Sequence, residues 1–364
     1  MSGSCQATSL NVVSRSAKAS VVMKPQASMS ILNWIGGHSL NFLDKLNWSP
    51  HQTPNSTSDC QVNPGSPTSI SVANATINSL DTNANATLTV ASTDTFTILG
   101  APDSFNATGA STNSGTLALS SACDLFLDGL FTNAGTLNTA AGSDVWVNSS
   151  FSNHGAVHQS GDFTVGQSHT GAVTNSAIWS ITGAHDIAKG VVGGTFTNEG
   201  TFTRTGTGVS DVAVATSNSG SVSVNQGLLE FGSTVANNGT MTATGSVLEL
   251  THRVSGVGAL DIGTGGTMDI IRGRDSGQTV DYLGTGELKL HTPGTFASHI
   301  SGFGGTDLID LVSTPATSAS FSSGVLTVLD GSTAVAHLNF NGSYNTNSFS
   351  LTSDLHGGTL IHHV

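Results

Sequence analysis

Charge is scarce in this chain. Only 9% of its 364 residues are Asp, Glu, Lys or Arg, against about 25% in an ordinary globular domain. Solvent-facing helices normally carry Lys and Glu, and the Ser, Thr, Asn and Gly that supply the polarity here are weak helix formers, so a helical protein is not expected. Positive charge is scarcer still. Ten basic residues face 23 acidic ones, for a formal net charge of -13, and without clustered Lys and Arg nucleic acid is not an expected partner. The three cysteines, Cys5, Cys60 and Cys123, lack metal-ligand spacing and cannot all pair, so no disulfide framework is expected. No run approaches the roughly 18 apolar residues of a membrane span. The first 28 residues carry Arg15, Lys18 and Lys24 with no apolar segment behind them, and no Sec signal peptide is visible. What remains, with 44 glycines and 37% hydrophobic residues, is β-structure with many turns.

Internal repetition is the strongest signal present. A phrase of the form F-T-N-x-G-T-L recurs around Asn113, Asn133, Asn153, Asn175, Asn198, Asn218 and Asn237, at intervals of 20, 20, 22, 23, 20 and 19 residues. Between copies runs a second, alternating phrase: D-L-F-L from Asp124, D-V-W-V from Asp144, D-F-T-V from Asp162, D-V-A-V from Asp211, then L-E-F ending at Phe231 and L-E-L ending at Leu250. About 20 residues holding two or three short strands make one coil of a parallel β-helix, a β-solenoid whose coils stack about 4.8 Å apart. In such a stack Leu125, Leu127, Val145, Val147, Phe163 and Val165 point inward, and the asparagines meet as a ladder. The glycine two residues after most of these asparagines suggests a turn in left-handed backbone.

The chain divides accordingly. Residues 1-28 are expected to be disordered. Residues 29-64, with Asn33-Trp34, Phe42 and Asn47-Trp48, read as an N-terminal cap that blocks the open strand edges of the first coil. Residues 65-294 form the solenoid. Residues 295-364, with tight turns at Asp330-Gly331 and Asn341-Gly342, form a C-terminal β module.

The N-x-G-T coils and the N-W…N-W-S-P opening resemble the passenger β-helices of bacterial autotransporters and other exported repeat proteins. The segment H-I-S-G-F-G-G-T-D-L-I-D-L is similar to the tail that follows calcium-binding repeats in proteins exported by type I secretion. No run of G-G-x-G-x-D repeats accompanies it. The resemblance implies a secreted or cell-surface β-helix that adheres to glycans, or to host or matrix proteins.

Several constellations are candidates for chemistry. Asp124, Asp144 and Asp162 precede equivalent strands and stack as a column. They read either as a Ca2+ site or as caps of their own turns. Asp307 and Asp310, in the calcium-tail phrase, pose the same alternative. Phe126 and Trp146 alternate with inward residues, so they face outward side by side, where such a pair stacks on a sugar or lies beneath the N-terminal cap. His185 and Asp186, with Lys189, fall where the repeat is longest and read as an acid-base group or a solvated loop. Arg272, Arg274 and Asp275 are a local concentration of charge or a plain turn. Outward T-x-T pairs at Thr201-Thr203 and Thr240-Thr242 do not recur in the other coils, which leaves little for an ice-binding face. The functional expectation is a non-catalytic adhesion module. A polysaccharide lyase or glycoside hydrolase on the same scaffold is the alternative.

Overall fold

In the computed structural model, residues 29-100, 105-121, 123-272 and 277-364 are described. The expected disorder of 1-28, and Arg274 with Asp275, lie outside them. The chain winds into a parallel β-solenoid of about 12 turns. No α-helix occurs among the described residues, only three short 3-10 turns, and no helix is long and apolar enough to cross a membrane.

As far as Val254–Ser255 each coil lays down three short strands on three faces, and among the described residues the later coils add strands to faces 2 and 3 alone. Face 1 runs from Thr68–Val72 to Val254–Ser255, and face 2 from Ala75–Ile77 to His299–Ser301. Face 3 is made of two sheets laid end to end. The first ends at Ile187–Lys189, the second starts at Val209–Asp211, and a single parallel bridge, Ile187 to Val212, joins them. The period-2 pattern explains the interior. Leu125, Leu127, Val145, Val147, Phe163 and Val165 are all 0% exposed, each resting on its counterpart one coil away.

The asparagines form the ladder. Asn113 Nδ2 donates to Asn133 Oδ1 at 2.7 Å, and the pattern repeats through Asn153, Asn175, Asn198, Asn218 and Asn237 at 2.7 to 2.8 Å. Each amide also donates to a main-chain carbonyl on the next coil, such as Thr136 O and Ala156 O. Both amide donor directions are therefore used, which is what allows so polar a row to be buried. The row outlasts its sequence phrase. The next coil has Gly256 where an asparagine would stand, and Gln278 reaches back across two coils instead, so that Asn237 Nδ2 meets Gln278 Oε1 at 2.8 Å. At the other end Val90 lies in register with Asn113, and Asn113 Oδ1 is buried without a partner.

The glycines of the N-x-G phrase are present for a different reason from the one the sequence suggested. Their φ angles lie outside the left-handed region. A Cβ on Gly135 would instead lie 2.0 Å from the Gly115 carbonyl oxygen of the coil below, and one on Gly155 2.0 Å from that of Gly135. Close coil-to-coil approach, not backbone handedness, excludes a side chain there. Ala177 is the exception, and there the asparagine bond to its own turn, Asn175 Nδ2 to Ala177 O, is 3.5 Å, against 3.3 Å at Asn133 and Asn153.

Both ends are covered. Trp34, Phe42 and Trp48 meet edge to face at 5.0 to 5.2 Å, and Phe42 also contacts Phe96 at 5.6 Å, seating residues 29-64 on the first coils. Trp48 Nε1 donates to Phe42 O at 2.6 Å. At the far end the two sheets run on past residue 294. Thr333–Asn341 pairs in parallel with His299–Ser301 and carries a meander with Val325–Asp330 and Ser318–Ser322. The hairpin Phe349–Ser353 and Thr359–His363 pairs antiparallel with Leu308–Leu311. Phe303, Phe321, Phe340, Tyr344 and Phe349 cluster between these layers.

Candidate functional site

The outer side of face 3 carries the ionisable groups. The residue preceding an inward side chain lies at its edge, and coil stacking aligns these residues as Asp124, Asp144, Asp162, Asp186, Asp211, Glu230, Glu249, Asp269, Lys289 and Asp310. Every position but one is a carboxylate. In the first half these groups are tied to the main chain of the next coil. Asp124 Oδ1 accepts from Asp144 N at 3.1 Å, Asp144 from Asp162 N at 3.3 Å, Asp162 from Asp186 N at 3.0 Å, Asp186 from Asp211 N at 2.8 Å, and Asp211 from Gly232 N at 3.0 Å. These aspartates thus bridge coils rather than cap their own turns. Among the described residues no three His, Cys, Asp or Glu side chains are grouped to hold a metal ion.

Crowding shows in the protonation equilibria. Partial burial first, and neighbouring carboxylates second, push Asp144, Asp211 and Glu249 above the usual carboxylate range. Burial raises Asp269 as well, against the pull of His291 and Lys289. A carboxyl raised in the folded state binds protons more tightly there than in the unfolded chain. These groups therefore favour folding when protonated, and that contribution is lost as pH rises through the raised values. The melting temperature is expected to rise as pH is lowered from neutral toward the ordinary carboxylate range at about pH 4. A flat or falling melting curve over that interval would show that the column carries no strain.

The next outward positions on the first half of face 3 are Asn106, Phe126, Trp146, Thr164 and Ala188. Phe126 and Trp146 stack with centroids 5.8 Å apart and planes 11° from parallel. Both are half-buried, and Trp146 Nε1 has no partner. Thr164 follows in register, so no third ring continues the stack.

The other sequence candidates are dispersed. His185 Nδ1 lies 3.3 Å from Asp162 Oδ1, while Asp186 belongs to the aspartate bridge, so the two do not form one acid-base group. Asp307 is consumed by a turn, its oxygens accepting from Gly304 N at 2.8 Å and Gly286 N at 3.2 Å. Arg272 is exposed at the margin of the described segment.

One site emerges only in three dimensions. Where the C-terminal hairpin crosses the end of the column, a groove of about 420 Å³ is lined by Asp269, Glu287, Lys289, His291, Asp310, Val312, Asp354, His356 and Leu360. His291 Nε2 is 3.0 Å from Asp269 Oδ1, and Lys289 Nζ 3.6 Å from Glu287 Oε2. Asp354 is held below the usual range by the backbone amides of His356 and Gly358, both at 2.7 Å. Asp310 is 8% exposed, and its Oδ1 is buried without a partner. Burial, then Glu287 and Asp354, raises its pKa. No protein-family model matches this chain, and no curated protein matches it either.

Proposed function

We propose that this protein is a non-catalytic, exported β-solenoid that adheres to a glycan laid along the first half of face 3. The observation that carries the reading is the stacked Phe126–Trp146 pair set directly beside the aspartate bridge. A pyranose over Thr164 takes the place of the missing third ring, its C-H face against the indole. Asp144 and Asp162 lie alongside as hydroxyl acceptors. The bridged aspartates are held in place by main-chain donors, which lowers the ordering cost of binding.

A glycan array probed with and without Ca2+ identifies the ligand, and Trp146→Ala tests the site. Stacking of this kind contributes about 1 to 2 kcal/mol, so the variant is expected to bind roughly tenfold more weakly with an unchanged far-UV spectrum. An array without retained glycans, or equal binding by the variant, removes the proposal. Release of shortened glycan chains would transfer it to the lyase or hydrolase alternative.

A further inference from the structure

The groove at the end of the column has a chemistry of its own. Four carboxylates, Asp269, Glu287, Asp310 and Asp354, surround a single ammonium, that of Lys289. Asp310 Oδ1 stands there as a buried acceptor with no donor, an unfavourable state until a ligand supplies one. We infer that this groove binds a linear polyamine through its ammonium groups.

The spacing favours such a ligand over a metal ion. Calcium draws six to eight oxygens to about 2.3–2.6 Å from one point, and no grouping of that kind occurs among the described residues. Asp269 and Asp310 instead sit two coils apart, on either side of Lys289, roughly 9 to 10 Å along the axis. Acceptors dispersed over that length match ammonium groups separated by several methylenes. The methylenes have their own surface in Val312 and Leu360, which line the same groove. The remainder of the column, Glu249 and Glu230 onward, continues the acidic track beyond the groove mouth.

Calorimetric titration of the full chain with spermidine, at about 0.15 M salt to screen diffuse attraction, decides the matter. Spermidine is expected to bind at one site. Asp310→Asn should weaken it by about tenfold or more, because a charge-assisted bond is lost, while Asp124→Asn, at the opposite end of the column, should leave it unchanged. Glu287→Gln is measured alongside, and it replaces Asp310→Asn if circular dichroism shows that variant unfolded. The inference falls if spermidine does not bind, if Asp124→Asn weakens it as much as the groove variants, or if CaCl2 displaces it at equal concentration.

Discussion

Asn153→Ala is expected to destabilise the solenoid by about 3 to 5 kcal/mol, although it removes no charge and only a small side chain. Asn153 is 0% exposed. Its amide receives Asn133 Nδ2 at 2.8 Å and donates to Asn175 Oδ1 at 2.7 Å and Ile178 O at 2.9 Å. Truncation leaves Asn175 Oδ1 and Ile178 O short of donors inside the core, at about 1–3 kcal/mol each, and opens a small cavity besides. Asn153→Asp is expected to be worse at neutral pH. Aspartate can accept from Asn133 but has nothing to donate to Asn175, and it adds a buried charge. Urea unfolding of the three proteins checks the ranking, with the neighbouring half-buried Ser152 replaced by alanine as a reference near zero. A loss below about 1 kcal/mol for Asn153→Ala would mean that the ladder is incidental to stability.

Arg204→Leu separates two explanations by the sign of the effect. Arg204 occupies an inward position, in register with Ile181 and Val224, and is 0% exposed. Judged by hydrophobic burial alone, leucine is the better residue and the variant should be more stable. The hydrogen bonds argue the opposite. The guanidinium donates to Gly206 O, to Thr207 O and Gly208 O at 3.0 Å, and to Leu228 O at 3.3 Å. It thus serves the corner turn where the second sheet of face 3 begins. Several buried carbonyls losing their donors outweigh the gain in apolar area, and a loss of about 4 kcal/mol or more is expected. Hydrogen exchange of the amides from Gly206 to Leu228 should quicken first, because each coil is held chiefly by its neighbours. A variant as stable as the parent would show that the turn finds its donors elsewhere.

The coil period, the inward columns, the asparagine ladder and the outward pairing of Phe126 with Trp146 were legible because each depends on spacing along a single repeat. The aspartate column was legible only in part. Asp124, Asp144 and Asp162 share a phrase, but their continuation through Glu230 and Glu249 depends on corner turns of changing length, which realign L-E-F and L-E-L with it. Gln278 was invisible as a ladder member, since it replaces an asparagine by reach rather than by position. The glycines were noticed for the wrong cause, because a neighbouring coil's carbonyl leaves no mark on local sequence. The burial of Arg204 was not legible, because the carbonyls it serves belong to a corner turn and to the next coil. The groove at Asp310 could not be anticipated, as its walls come from two coils and from a hairpin that folds back over them.

The asparagine row has one more consequence. Every amide in it faces the same way, oxygen toward the N-terminal cap and nitrogen toward the C-terminal one. Turning a single amide over would set oxygen against oxygen on one side and nitrogen against nitrogen on the other, so seven side chains act as one binary switch. The main-chain carbonyls that receive each nitrogen fix that switch in one setting. A coil docked in reverse or out of step would be refused at the first rung, and the row serves as a proofreader of winding.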